Sequence, residues 1–161
     1  MVKDYENLFV IRSVTKFYGM AGIRFGYAVA AGTLIDKLQT TRLPWSINAL
    51  AGPVTLAAFN DTEFIENTKK TIAKERAALA RSLSEIEGLH VYPTVTNFLL
   101  VKIENPKITS TMLKELLAKE RILIRDCCTF MGLDDHYFRI TVRSTKDNQH
   151  LVEKIKAIVT A

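Results

Sequence analysis

The first thirty positions hold two short apolar runs separated by a turn that contains glycines. Residues 8–11 (LFVI) form an unbroken apolar run, which predicts a strand buried on both faces, as in the sheet of an α/β fold. Residues 26–30 (GYAVA) predict a second strand, and Gly19 and Gly22 mark the turn between the two. The pattern therefore predicts that the chain opens with sheet structure.

Two helical stretches follow these strands. Thr33 predicts the cap of a helix over residues 34–42, and residues 46–59 predict a second helix. Gly52 and Pro53 lie inside the second stretch, where proline removes a backbone donor and clashes with the preceding turn. We therefore expect a kink or a break at that point.

A long amphipathic helix is predicted next, over residues 61–88. Asn60 followed by Glu63 resembles a capping box, and Gly88 marks the C-terminal end. One face repeats at helical spacing, and charged residues fill the other. The repeating positions are Phe64, Ile65, Thr68, Ile72, Leu79, Leu83 and Ile86. A helix of this length often connects two domains, although it can also belong to a single core.

From residue 89 onward, strand patterns alternate with helix patterns. The predicted strands are residues 98–101, 121–125 and 137–143, and the predicted helix between the first two is residues 111–119. Ser144 with Asp147 resembles a capping box for a last helix. The core stripe of that helix is Leu151, Val152, Ile155, Ile158 and Val159. This order predicts a small α/β domain with its helices on one face of a sheet.

Composition places the chain among globular proteins and narrows its partners. The chain has 161 residues, 48% of them hydrophobic, with 22 basic and 17 acidic residues and a net charge of +5. No basic run exceeds two residues, so we expect no nucleic-acid partner. No apolar run approaches the ~20 residues that span a bilayer, so we expect no membrane partner. The adjacent Cys127 and Cys128 predict reduced thiols in a cytoplasmic protein, with neither a disulfide nor a metal site.

The stretch RSVTKFYGMAGIRFGY, residues 12–27, carries the candidate chemistry. Lys16 follows the first predicted strand, where the functional groups of α/β folds collect. Ser13 and Thr15 flank it with hydroxyls that suit phosphate oxygens, and Arg24 supplies a planar fork that can hold a phosphate at two points. These residues alone leave two interpretations open: Lys16 is a solvated turn residue, or it is a nucleophile beside an anion-binding arginine.

The motif Ser-x-Thr-Lys, followed eight residues later by the arginine of Gly-Ile-Arg-Phe-Gly-Tyr, resembles a known family. It is similar to the cofactor-lysine motif of fold-type I pyridoxal-phosphate enzymes, in particular the class I and II aminotransferases. In that family the lysine forms a Schiff base with the cofactor, and the serine and arginine hold the cofactor phosphate. The resemblance therefore implies that Lys16 is catalytic and that Ser13, Lys16 and Arg24 bind pyridoxal 5'-phosphate.

The same resemblance extends over essentially the whole chain and implies binding roles for two further arginines. By themselves, Arg125 and Arg139 are either solvated strand residues or ligands. The resemblance implies that Arg139 binds the α-carboxylate and that Arg125 helps to bind the phosphate of a small-molecule amino-acid phosphate.

Three other stretches, LPWSINALAG, TNFLLVKI and IRDCCTFMGLDDHYFRITVR, resemble the histidinol-phosphate aminotransferase branch of the family. Within that branch they are most similar to the decarboxylases of L-threonine O-3-phosphate in cobalamin biosynthesis. Decarboxylation and amino transfer both stay open, and so does a third interpretation, a non-catalytic interaction domain with a relic active site.

The resemblance also implies a domain organisation. Residues 1–60 would be the C-terminal remnant of the large cofactor-binding domain, residues 61–88 the connecting helix, and residues 89–161 the small C-terminal domain. Other cofactor-binding groups of the family precede its lysine and have no counterpart here, so we expect this chain to bind pyridoxal phosphate weakly or not at all. A homodimer is implied for the full-length protein. We also expect exposed apolar strand edges in residues 1–60.

Overall fold

The computed structural model describes residues 2–160, apart from the side chain of Lys3. Over those residues the chain is a mixed α/β structure with five α-helices and two small sheets. It divides into two compact units, Met1–Phe64 and Ile65–Ala161. None of the described helices is both long and apolar enough to cross a membrane.

The first unit is built around an antiparallel hairpin. β1 (Phe9–Ser13) pairs with β2 (Gly26–Ala30), and Ser13 lies opposite Gly26 at the end of the ladder. Both predicted strands are present, but the burial predicted for the first is wrong, because Ile11 is 71% exposed. A two-stranded hairpin needs a packed layer on each face to bury its side chains, and no described element of this unit covers Ile11. The expected exposure of apolar strand residues is therefore confirmed.

The first helix, α1 (Gly32–Gln39), lies where a helix was predicted but has different ends. Its N-cap is Ala31, which makes no side-chain cap bond, and Thr33 lies inside the first turn, so the predicted cap is wrong. The helix ends three residues early. The hydroxyls of Thr40 and Thr41 donate to carbonyls of its last turn at 2.8 and 2.9 Å, which helps to close this end.

The second helix, α2 (Ala51–Asn60), starts later than predicted and has no break. Pro53 lies in its first turn, where a backbone nitrogen needs no partner within the helix. The expected kink is therefore wrong. The start of the helix is fixed by Asn48, whose Oδ1 accepts from the backbone N–H groups of Leu50 and Ala51 at 3.1 and 3.0 Å.

The long helix is confirmed as α3 (Thr62–Ser84), with both ends corrected. Its 23 residues span about 35 Å. The cap is Asp61, whose Oδ1 accepts from the N–H of Phe64 at 2.9 Å, whereas Asn60 is the last residue of α2. The helix ends four residues before Gly88.

The second unit contains a four-stranded antiparallel sheet in the order β3-β4-β6-β5. Its strands are β3 (Leu89–Val91), β4 (Phe98–Ile103), β5 (Arg125–Asp126) and β6 (Tyr137–Thr141). β4 and β6 confirm two predicted strands, and β3 was not predicted. The strand predicted over residues 121–125 is mostly wrong, because only Arg125 of that range lies in a strand. Its first residues instead close the preceding helix, because Arg121 has a φ of +61° and the N–H of Ile122 donates to Leu117 at 3.0 Å.

Two helices, α4 (Ser110–Lys119) and α5 (Thr145–Val159), join the end of α3 in a core on one face of this sheet. The core includes Leu79, Leu83, Leu99, Val101, Ile103, Leu113, Leu117, Phe138, Ile140, Val142, Leu151, Ile155 and Val159. The predicted cap of α5 is confirmed, since Ser144 accepts from the N–H of Asp147 at 3.2 Å. Met112 and Leu116 of α4 lie outside this core and are 46% and 39% exposed.

Candidate active site

Lys16 lies in the turn that directly follows β1. The turn begins at Ser13, whose Oγ accepts from the N–H of Thr15 at 3.2 Å and shares a 2.9 Å hydrogen bond with the Thr15 hydroxyl. It closes where the N–H of Gly19 donates to the carbonyl of Lys16 at 3.1 Å. Val14, which lies between Ser13 and Thr15, is fully buried and so anchors the turn by packing. The Lys16 side chain is exposed, so its amine is accessible to an aldehyde.

Arg24 lies on the neighbouring arm of the same hairpin. Its backbone is left-handed, with φ +52°, a conformation that costs a non-glycine residue roughly 1–2 kcal/mol. Its Nη1 donates to the carbonyl of Ala21 at 3.0 Å, which leaves the other donors of the fork available. Gly26 lets this arm approach the first strand closely, since a Cβ there would lie 2.9 Å from the carbonyl oxygen of Arg12. Because Ser13 pairs with Gly26, the ladder places Ser13 beside the segment that contains Arg24.

Asn48 is a supporting residue to which the sequence analysis assigned no role. Its Nδ2 donates to the carbonyl of Ile23 at 2.7 Å, and its Oδ1 accepts from the N–H groups of Leu50 and Ala51 at the start of α2. One side chain therefore ties the residue before Arg24 to the start of a helix. An asparagine shortly before a helix is a recognised capping signal, so this role could have been found from the sequence.

The predicted substrate arginines of the second unit face each other across two strands. Arg125 on β5 is the direct partner of Arg139 on β6. Directly opposite residues in antiparallel strands point to the same face and lie about 5 Å apart at Cα. The guanidinium of Arg139 lies 4.8 Å from the centre of the Phe98 ring, and that of Arg125 lies 5.3 Å from the centre of the Phe130 ring. The structure thus brings these two cations together on the sheet face opposite the core.

The same sheet face carries a further cation and two phenols. Lys102 on β4 is the partner of Tyr137 on β6, and its Nζ lies 5.6 Å from that ring. The hydroxyls of Tyr92 and Tyr137 are 3.4 Å apart. Because residues two apart on a strand share a face, Lys102 and Tyr137 lie beside Leu100 and Arg139. This face is positively charged and lined with rings.

The residues after Arg125 are an anchoring carboxylate and two free cysteine thiols. The carboxylate of Asp126 accepts from the hydroxyls of Ser110 and Thr111 and from the N–H of Cys128. Burial raises the pKa of the Cys127 thiol, and the Asp126 carboxylate raises the pKa of the Cys128 thiol. Both cysteines are free, as expected. The role of Asp126 was missed because a carboxylate next to an arginine has no sequence pattern of its own.

The remaining polar candidates have local partners. Asn97 is exposed, and its backbone carbonyl accepts from the N–H of Val142 at 2.9 Å. Arg143 pairs with Asp147 at 3.1 Å on the surface. His90 and His150 are exposed, whereas His136 is half-buried and its Nδ1 lies 3.0 Å from the Asp135 carboxylate.

Comparison with known proteins shows which family this chain matches. Residues 1–155 match the family model described as aminotransferase class I and II. A protein of Caldanaerobacter subterraneus subsp. tengcongensis, provisionally named threonine-phosphate decarboxylase, is 39% identical over 158 residues, which is 98% of this chain and 42% of that protein. Histidinol-phosphate aminotransferase 2 of Archaeoglobus fulgidus is also 39% identical over 158 residues, 98% of this chain and 44% of that protein.

A solved structure is also similar to this chain. The histidinol-phosphate aminotransferase from Clostridium acetobutylicum superposes with a TM-score of 0.93 at 36% identity, covering 99% of this chain and 48% of that one. The chain thus spans less than half the length of each of these three proteins. The match to the family model over residues 1–155 shows that this chain belongs to the class I and II aminotransferases, a family of pyridoxal-phosphate-dependent enzymes.

Proposed function

We propose that this chain carries active-site residues of a pyridoxal-phosphate enzyme that acts on a phosphorylated amino acid, and that the enzyme is an L-threonine-O-3-phosphate decarboxylase. The observation that carries the proposal is the direct pairing of Arg125 with Arg139 on one sheet face. Threonine phosphate holds a carboxylate and a phosphate only a few bonds apart. Two neighbouring guanidinium forks suit both groups of one small molecule.

The donor set of the first unit fits the cofactor. The hydroxyl of Ser13 and the fork of Arg24 would hold the cofactor phosphate, and the exposed amine of Lys16 would bind the cofactor aldehyde. Once bound, pyridoxal phosphate supplies an electron sink for the bond that breaks at the substrate α-carbon. The strained backbone of Arg24 supports a functional role, because strain of this kind collects at ligand sites.

The two arginines of the second unit would bind and orient the substrate. Arg139 would hold the α-carboxylate, and Arg125 would hold the phosphate. The rings of Phe98 and Phe130 restrain the two guanidinium planes from one side and leave their edge donors for the anions. Fixing a substrate at two points selects which bond of the α-carbon is cleaved, and such positioning is a large part of catalysis.

Amino transfer from histidinol phosphate is the second candidate function. The similarity to the Archaeoglobus fulgidus aminotransferase equals that to the decarboxylase relative, and this equality supports it. Histidinol phosphate has a phosphate but no carboxylate, so it would engage the arginine pair with one anionic group. Threonine phosphate would engage both forks at once, whereas in amino transfer the keto acid would bring its carboxylate in a separate half-reaction.

The test is an assay of the natural protein that carries this sequence, supplied with pyridoxal phosphate and L-threonine O-3-phosphate. We expect release of carbon dioxide without a keto acid, and Lys16→Ala abolishes it. Lys37→Ala, a substitution of an exposed lysine on α1, is the matched control and leaves the rate unchanged. Turnover that occurs only with histidinol phosphate and a keto acid would contradict the decarboxylase and support the second candidate.

A non-catalytic interaction domain gives a different result in the same assay. It predicts no turnover of either substrate and tolerance of substitutions at Lys16 and Arg24. That outcome would overturn the enzymatic proposal as a whole.

A further inference from the structure

Asp126 is the residue after the proposed phosphate-binding arginine, and its carboxylate is unusually well bonded. Oδ1 accepts from the hydroxyl of Ser110 at 2.8 Å and from the N–H of Cys128 at 3.0 Å. Oδ2 accepts from the hydroxyl of Thr111 at 2.7 Å. Ser110 and Thr111 are the first two residues of α4. These hydrogen bonds, called here the Asp126 anchor, tie β5 to the start of a core helix.

The strand that the Asp126 anchor holds is short and lies at the edge of the sheet. β5 contains only Arg125 and Asp126, and β6 is its single strand neighbour in the described sheet. Beyond the ladder, the N–H of Cys127 donates to Tyr137 at 3.0 Å. A two-residue edge strand has few backbone hydrogen bonds with which to keep its register. The side chain of Asp126 supplies a second attachment, from the direction of the core.

The helix does not need this carboxylate for its own cap. Thr109 is the N-cap of α4, and its hydroxyl accepts from the N–H of Met112 at 3.2 Å. The N–H of Ser110 donates to the carbonyl of Asp135. Within this first turn Asp126 bonds only the two hydroxyls, and the N–H groups of Ser110 and Met112 are bonded by Asp135 and Thr109. The anchor therefore serves the position of β5 more than the end of the helix.

The Asp126 anchor stays charged at neutral pH. Burial opposes ionisation, but the N–H of Cys128 and the hydroxyls of Thr111 and Ser110 outweigh it and hold the pKa of the Asp126 carboxyl well below its usual range. Hydrogen bonds to an ionised acceptor are short and roughly twice as strong as neutral ones. Ser110 is fully buried, so one end of the anchor lies within the packed part of the unit.

We propose that Asp126 is a positioning residue for the substrate phosphate: the Asp126 anchor fixes β5 so that the guanidinium of Arg125 stands opposite that of Arg139. The inference rests on the proposed function, in which Arg125 binds the phosphate. It assigns specificity to a residue that touches no substrate. Weakening the anchor displaces one of two anion-binding forks and leaves the other in place.

The test measures KM and kcat of the natural protein with L-threonine O-3-phosphate and, separately, with unphosphorylated threonine. Asp126→Asn and Thr111→Val each weaken the anchor. Because misplacing a binding group by about 1 Å costs up to ~100-fold, we expect KM for the phosphorylated substrate to rise about tenfold or more. We expect kcat to change less and KM for threonine to stay the same. A purely structural role would change both KM values together.

Two variants serve as controls. Thr111→Ser keeps the hydroxyl, so its KM for the phosphorylated substrate stays at the natural value, whereas Thr111→Val raises that KM. Glu115→Gln replaces an exposed carboxylate on the same helix and leaves both KM values unchanged. Thr111 is itself exposed, so its variants keep the test informative even if Asp126→Asn fails to fold.

Arg125→Gln separates this inference from the proposed function. If Arg125→Gln raises KM for the phosphorylated substrate while Asp126→Asn and Thr111→Val do not, the positioning role is wrong and the proposed function stands. If Arg125→Gln itself leaves that KM unchanged, the proposed role of Arg125 fails, and the inference fails with it. Equal rises for threonine and its phosphate in Asp126→Asn contradict positioning of the phosphate.

Discussion

The two units of this chain hold their apolar residues in opposite ways. In residues 65–161, sixteen apolar residues are buried, and fifteen of them form one core on one face of the sheet. In residues 1–64, the described buried apolar residues are Val14 and Ala51, while Trp45 is 98% exposed and Ile11 71% exposed. Both units contain many apolar residues, so apolar content alone does not produce a core.

The difference lies in what stands against each apolar face. The second unit places three helices on one face of a four-stranded sheet, so the alternating residues of β4 and β6 have a layer to pack on. The hairpin of the first unit has apolar residues on both faces and only two strands. Its candidate residues are held mainly by local bonds, such as those of Ser13 with Thr15 and of Asn48 with Ile23.

The largest effect that distinguishes the units is expected from removing one core side chain. Phe138 is fully buried, so Phe138→Ala lowers the free energy of unfolding of the second unit by about 3–5 kcal/mol. Ile11→Ala removes an exposed side chain and changes the free energy of unfolding of the first unit by less than about 0.5 kcal/mol. Hydrogen exchange against urea concentration measures both losses, on the β4 and β6 amides for Phe138→Ala and on the β1 and β2 amides for Ile11→Ala. Equal losses would show that the hairpin is as well packed as the core.

A smaller effect, with a pH signature, is expected from the Asp126 anchor. The pKa of Asp126 is lower in the folded state than its unfolded value of about 3.9. The charged carboxylate therefore contributes fully to the free energy of unfolding above about pH 3.9, and this contribution is lost as the pH falls below that value. Because hydrogen bonds to charged groups contribute about 1.5–3 kcal/mol, we expect Asp126→Asn to cost about 1–2 kcal/mol at pH 7. The deficit relative to the natural chain shrinks as the pH falls below 4.

Unfolding in urea at pH 7 and pH 3 measures that deficit. Asp36→Asn, on the exposed face of α1 in the first unit, serves as the control and costs less than about 0.5 kcal/mol at both pH values. A deficit for Asp126→Asn that does not depend on pH would show that the charge of the anchor is unimportant.

The smallest effect compares two helix starts. The hydroxyl of Ser144 accepts from Asp147 at the start of α5, so Ser144→Ala costs about 1 kcal/mol. Thr33 makes no cap bond at the start of α1, so Thr33→Ala changes the free energy of unfolding by less than about 0.5 kcal/mol. Far-ultraviolet circular dichroism during urea unfolding checks both variants. A cost at Thr33 that matches the cost at Ser144 would restore the cap predicted from the sequence.

The elements with long, regular patterns could be predicted from the sequence, and those set by tertiary pairing could not. In the predicted strand 137–143, apolar residues alternate at Phe138, Ile140 and Val142, and these are the residues that pack in the core. The apolar run at residues 121–125 looks like a strand, yet only Arg125 and Asp126 pair with β6. The burial of residues 8–11 depends on layers that a local pattern does not encode.

The residues of the candidate site also divide into those that the sequence predicts and those that depend on tertiary pairing. The spacing of Ser13, Lys16 and Arg24 singled out the hairpin before its geometry was known, because the motif is local in sequence. The direct pairing of Arg125 with Arg139 depends on the strand register, since the two arginines lie fourteen positions apart in the sequence. The Asp126 anchor needed the position of α4. Residues that support a site through long-range hydrogen bonds leave little trace in the spacing of the sequence.

The central claim, that Lys16 binds the cofactor, has one direct test. The natural protein that carries this sequence is mixed with pyridoxal phosphate and reduced with borohydride, and its peptides are mapped by mass spectrometry. We predict a reduced pyridoxyl group on the peptide that contains Lys16, and its loss in Lys16→Ala but not in Lys37→Ala. A label that falls on another lysine, or that survives Lys16→Ala, would contradict the claim.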